Sequence, residues 1–272
     1  MPIKRLFLTF SMRRGGQHGI INWLLKHWND DEWRHFNNRR PGRAVGRRKL
    51  DKNASVMLIS FEDWDFRNLS CQPAELFKES GVDAVSNHMI FMHRDPFNMF
   101  ASRSKIYKVD SLHRASVQSN TKMTPVDVWK VYAREALGET CYLPDKIVVS
   151  YNQWFSCKAY RQSVAEQFGL TLNDRGMKDV TNWGQGSSFD KRKFDGKADQ
   201  MQVMSRWCGF LNDDGFVKAF DEEVLTMASR LYLDGFKVSV PSSVTAHREL
   251  VEQMAFEVES KYPPWTALSS AE

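Results

Sequence analysis

The chain has 272 residues, 42% hydrophobic and 26% charged, with 38 Lys+Arg against 33 Asp+Glu and a net charge of +5. These proportions exclude a disordered or collagen-like chain and leave enough apolar residues for a buried core; the modest positive excess points to an anionic ligand or surface without identifying nucleic acid. The length fits one domain, residues 1–272, carrying insertions. Cys71, Cys141, Cys157 and Cys208 stand far apart with no CxxC pair, which argues against a zinc site or a disulfide framework and predicts reduced, structural thiols. The apolar run at 6–10 is too short for a signal-peptide core and far below the roughly 20 residues of a membrane span, so a cytoplasmic location is expected.

Short apolar runs at 5–10, 56–61, 88–92 and 146–150 read as strands, and longer stretches of helical periodicity lie between them. Ile20, Trp23, Leu24 and Trp28 recur at helical spacing after Gly19, Pro96 opens a helix to about residue 106, and further helices fit 126–137 and 157–168, the last with Ser156 as N-cap. That alternation predicts an α/β fold with a central parallel sheet flanked by helices. From Asp199 onward the pattern is mainly helical, ending in a helix over about 242–260 before Pro263-Pro264. The basic stretch at 39–52, within a loop of about 37–54, holds Pro41, Gly42 and Gly46 and reads as exposed, and 267–272 reads as frayed.

Two segments carry chemistry. The first strand runs into Ser11-Met12-Arg13-Arg14-Gly15-Gly16-Gln17-His18-Gly19 and then into a helix. Glycines there allow close approach of the backbone, the helix N-terminus offers unpaired N–H groups, and Arg13 or Arg14 adds full charge, a combination suited to a phosphate. A plain tight turn with solvated arginines is the competing reading. The GxxxxGK[ST] spacing is absent, which disfavours a magnesium-dependent ATPase. In the second segment, the strand at 88–92 leads to Arg94-Asp95-Pro96, with Asp95 suited to an N-cap and Pro96 to the first helical position. Arg94 is then held at a strand exit, where open α/β sheets bind ligands, and Ser102, on the face of Asn98, can supplement its contact to a phosphate.

With Arg94 and Ser102 eight residues apart inside this string, the chain resembles the sulfotransferases that use 3′-phosphoadenosine 5′-phosphosulfate (PAPS). Looser matches follow in the family order over about residues 5–232: Tyr151-Asn152-Gln153-Trp154, then Gly186-Ser187-Ser188-Phe189 with Lys191-Arg192-Lys193, then Ser205-Arg206-Trp207. The resemblance implies a P-loop-like sulfotransferase fold, PAPS as donor with PAP as product, and no metal. It implies that Arg13, Arg14, Gly15, Gly16, Gln17, His18 and Gly19 hold the 5′-phosphosulfate. Arg94 and Ser102 would hold the 3′-phosphate, and Ser187, Ser188, Phe189, Lys191, Arg192 and Lys193 complete the donor site. The family's Lys-Ser-Gly-Thr-Thr-Trp aligns with Arg14 to Gly19, so Arg14 replaces the usual lysine and Gly19 the usual adenine-stacking tryptophan. Trp183 and Phe189 are then candidates for purine stacking, with a core role equally open for each.

Sulfuryl transfer to a hydroxyl requires charge stabilisation on the departing oxygen and a base for the attacking hydroxyl. The expected catalytic groups are Arg14, His18 and Glu62. Glu62 ends the strand at 56–61, where the family often places its base; a helix cap or a surface ion pair is its alternative role, and Asp63, His88 and His93 are alternative bases. The acceptor is expected to be a carbohydrate or small molecule bearing a hydroxyl, with Trp64, Phe66, Tyr107 or Trp154 near it. Nucleic acid is not the expected partner, although a catalytically silent polyanion-binding protein and a phosphate-binding kinase compete with the enzyme reading.

Overall fold

A computed structural model describes residues 3–39, 54–65, 67, 73–115 and 121–264. Five strands, β1 (Ile3–Ser11), β2 (Trp33–Phe36), β3 (Val56–Glu62), β4 (Ala84–His93) and β5 (Ile147–Ser150), form one parallel sheet in the order β2-β3-β1-β4-β5. β1 is central and buried on both faces, so its Leu6, Phe7, Leu8 and Phe10 form a continuous apolar run instead of an alternating one. The chain leaves β1 toward the β2 side and leaves β4 toward the β5 side. A switch point therefore lies between the carboxyl ends of β1 and β4, the place where open sheets leave a crevice.

The helices are α1 (Gln17–Leu25), α2 (Pro73–Glu79), α3 (Pro96–Tyr107), α4 (Pro125–Ala136), α5 (Tyr151–Ser156), α6 (Lys158–Gln167), α7 (Asp214–Val217), α8 (Glu222–Tyr232) and α9 (Val244–Lys261). α4 packs on β4 and on α8, α8 and α7 pack on α9, and α3 lies against the short 3-10 turn Arg206–Phe210, which ties the helical C-terminal part to the sheet layer. Their local chemistry matches their positions. Asp95 caps α3 by accepting from the Asn98 N–H at 2.7 Å with Pro96 as first helical residue, and Thr124-Pro125 repeats the device for α4.

Three sequence expectations need correction. β2 was not foreseen, because Trp33-Arg34-His35-Phe36 is a half-buried edge strand with no apolar run to announce it. Ser156 ends α5 instead of capping α6; the capping position is Cys157, whose side chain makes no cap, and the Ser156 hydroxyl is buried without a partner. Cys141, Cys157 and Cys208 are free but exposed, not packed in the core. Cys71, Phe66, most of the basic stretch at 39–52 and the segment 267–272 lie outside the described residues. Among the described residues no helix is long and apolar enough to cross a membrane, and no three His, Cys, Asp or Glu side chains gather as a metal site.

Candidate active site

A cleft of about 330 Å³ lies over the carboxyl ends of the strands, and every strand-end segment contributes to it. β1 and the start of α1 supply Arg13, Arg14, Gly16, Gln17, His18 and Gly19; the residues after β2 supply Asn37 and Asn38; β3 ends in Glu62; β4 leads to Arg94; and β5 leads to Tyr151. The wall also includes Tyr107, Asp179, Trp183, Ser187, Ser188 and Arg206. The two anion segments read from the sequence thus line one cleft, and they touch, since Arg94 Nη1 donates to the Arg14 carbonyl at 3.3 Å.

The loop between β1 and α1 is shaped by what surrounds it. Gly16 has φ +86°, and a Cβ there would lie 2.2 Å from the Tyr151 ring, so the loop backbone rests directly on that aromatic face. Arg14 also has positive φ, and its guanidinium makes no hydrogen bond or ion pair among the described residues. Gly19, aligned with the family's stacking tryptophan, is packed against Trp154, which is itself buried and does not line the cleft.

The basic end is built from Arg94 and Arg206. Arg94 is buried over the Tyr151 ring at 4.5 Å and donates from Nη2 to the Val203 carbonyl at 2.6 Å. Arg206 bridges Ser102, 3.2 Å from Nη1, and Ser187, 2.8 Å from Nη2, under the ring of Phe189 at 5.0 Å. Their carboxylate neighbours stand off: Asp95 at 3.8 Å from Arg94 Nε and Asp190 at 3.6 Å from Arg206 Nη2. The Nε atoms of both arginines are buried without a hydrogen-bond partner. Burial first, and then the nearby charge of Arg94, push the Arg206 guanidinium down to about 10. Sequence reasoning named Arg206 within a motif but gave it no role, because its partners lie 19 to 108 positions away along the chain.

At the other end, Glu62 lines the cleft with 12% of its side chain exposed. Its Oε2 faces Arg13 Nε at 3.2 Å and its Oε1 accepts from the Gln17 amide; His18 Nε2 is 3.9 Å away and is hydrogen-bonded to Asn37 Oδ1 at 3.0 Å. Asp63, the alternative base, is buried and committed: it accepts from the Arg13 backbone N–H at 3.0 Å and from Arg103 Nη1 at 2.9 and 3.1 Å. His93 bonds Tyr232 at 2.7 Å, and burial lowers it to about 4; His88 stacks on Phe7 at 4.9 Å. Neither of these two rings lines the cleft.

Of the donor-site residues named from the sequence, Gly15, Ser102, Phe189, Lys191, Arg192 and Lys193 stand behind or beside the cleft wall. Ser102 is fully buried beneath Arg206, and Phe189 covers Arg206 and Lys105. Arg192 pairs with Asp195, and Lys191 and Lys193 are exposed. Trp183 does line the cleft, its edge fixed by perpendicular contact with His35 at 4.5 Å. Of the residues expected near an acceptor, Tyr107 lines the cleft, whereas Trp64 and Trp154 do not.

No protein-family profile matches the chain, and no curated protein matches it significantly. Among solved structures, the chain is similar to the crystal structure of mouse sulfotransferase SULT7A1 complexed with PAP, at 10% identity and a TM-score of 0.44, over 92% of this chain and 90% of that one.

Proposed function

We propose that the protein is a sulfotransferase that moves a sulfuryl group from PAPS to an acceptor hydroxyl. The observation that carries this reading is the buried Arg94 and Arg206 pair: two crowded cations with orphaned Nε groups at the wall of a cleft, short of close carboxylate partners. Two like charges out of water are costly unless an anion joins them, and a multiply charged phosphate is the group that a guanidinium fork accommodates. A cleft of about 330 Å³ lined by four arginines and by Tyr107, Tyr151 and Trp183 is in the size range of ligand sites, roughly 300–1,000 Å³.

When bound, PAPS would supply the activated sulfuryl group and an adenylate leaving group. Arg94 and Arg206, backed by Ser102 and Ser187, would hold its 3′-phosphate. The Gly15-Gly16 turn, the amides at the start of α1 and Arg14 would face the 5′-phosphosulfate, Arg14 neutralising charge on the leaving side. Trp183 offers the face for the purine. Glu62 takes the proton from the acceptor hydroxyl, and His18, held by Asn37, faces the same region. Asn37, Asn38 and Tyr107 line the same cleft and favour a polar, carbohydrate-like or small hydroxylated acceptor.

The test is thermal unfolding with PAP. At about 100 times its dissociation constant the nucleotide stabilises the fold by roughly 2.7 kcal/mol, which for a chain of this size raises Tm by roughly 5 °C. Arg206→Gln, which keeps a polar group beside Ser102 and Ser187, is expected to lose most of the shift and remain folded. A wild-type protein with no shift at millimolar PAP contradicts the donor assignment.

A further inference from the structure

A carboxylate at a strand end can rotate unless something holds it, and the holder here is Gln17. The Gln17 side chain is 2% exposed, although the first turn of α1 borders the cleft. Its carbonyl oxygen accepts from the Ser11 hydroxyl and its amide N–H donates to Glu62 Oε1. Ser11 and Glu62 are register partners on β1 and β3, so the amide bridges two adjacent strand ends. The frame beneath is fixed as well: the Ser11 carbonyl accepts from the Asp63 N–H at 3.1 Å and from the Tyr132 hydroxyl at 3.3 Å. With its one acceptor engaged by Ser11, the carboxamide can present only N–H to Glu62, and the relay Ser11 to Gln17 to Glu62 has a single direction.

We infer that Gln17 is a positioning residue for Glu62, not a donor-binding residue: its amide holds one carboxylate oxygen while Arg13 faces the other, so that Glu62 meets the acceptor hydroxyl in one orientation. This inference rests on the sulfotransferase reading only in giving Glu62 its role as base. A neutral amide suits the task, because it orients the carboxylate without setting a second full positive charge beside the group that must take up a proton. The side chain has no polar atom left over for a phosphate, apart from the second amide hydrogen.

The experiment combines Gln17→Met, Glu62→Gln and the double variant, read by kcat, by KM for PAPS, by PAP affinity, and by the side-chain amide resonances of Gln17. Gln17→Met is expected to lower kcat about 10- to 100-fold, as for a misplaced catalytic group. KM for PAPS and the PAP dissociation constant should stay within about twofold, and the double variant should be no slower than Glu62→Gln, because a holder has no effect once the group it holds is gone. The Gln17 amide protons should exchange slowly with solvent in wild type and fast in Glu62→Ala, a reading that needs no turnover. Wild-type kcat in Gln17→Met beside a slow Glu62→Gln overturns the positioning role and spares the base, whereas wild-type kcat in Glu62→Gln removes the base itself. Weakened PAP binding in Gln17→Met, equal in both backgrounds, returns Gln17 to donor binding, and fast amide exchange in wild type overturns the inference without any kinetics.

Discussion

Glu62 and Asp63 are adjacent in the chain and unlike in their surroundings. Asp63 is buried against Arg103 and the Arg13 backbone, with every contact directed at holding the loop, whereas Glu62 keeps part of its carboxylate at the cleft. In the proposed reaction, Glu62→Gln retains the shape and the cleft wall but cannot take the acceptor proton. Turnover is expected to fall by roughly two to four orders of magnitude, with PAP binding retained in a calorimetric titration. Asp63→Asn, in contrast, leaves Arg103 beside a neutral group in a dry site and acts on folding; it is not expected to mimic the Glu62 variant's separation of kcat from nucleotide binding.

At the scale of elements, the loop between β1 and α1 is held on one side by Asp63 and Arg103 and rests through Gly16 on the Tyr151 ring, which also supports Arg94. Gly16→Ala adds the strain of a left-handed conformation, about 1–2 kcal/mol, to a methyl group placed inside the ring's van der Waals surface. Gly196 is the matched control: its φ is +81°, yet a Cβ there meets nothing within 4 Å. Chemical denaturation should therefore find Gly196→Ala destabilised by about 1–2 kcal/mol and Gly16→Ala by more, and only the latter should weaken PAP binding, by at least about tenfold. Equal effects at the two glycines would mean that the ring does not set the loop.

Across the whole molecule, two histidines are folded into places that reject a proton. Burial lowers His35 to about 3 and His93 to about 4, against about 6.5 in the unfolded chain. Above about pH 6.5 both states are neutral and the fold has its full stability; as pH falls below that value the unfolded chain takes up protons that the native chain refuses. Each histidine then removes up to about 1.4 kcal/mol per pH unit until its folded value is reached. Tm is expected to decline between pH 6.5 and 4.5, and His93→Gln, measured against its own neutral-pH value, should decline less steeply. A Tm that stays level over that interval would show that these rings are not held neutral.

Apolar periodicity and capping are local, each written within a few consecutive residues, and so β1, β3, β4 and β5, the helices α1, α3, α4, α6 and α9 and the Asp95-Pro96 cap are legible in the chain's order, whereas α2 and α5 carry no such pattern. The glycine turn at the start of α1 and the arginine at the exit of β4 are local signals too, and both segments line the cleft. Long-range packing is what makes β2 complete the sheet edge, locks Asp63 while Glu62 faces the cleft, and sets Arg206 on Ser102 and Ser187 while Lys191, Arg192 and Lys193 remain outside. The side chains of Gln17 and Arg206 look like any other polar residues in the chain's order. Glu62, 45 positions from Gln17, and Ser102, 104 positions from Arg206, are among the partners that fix them, and such pairings follow from the packing of the sheet and its loops, not from any neighbouring pattern.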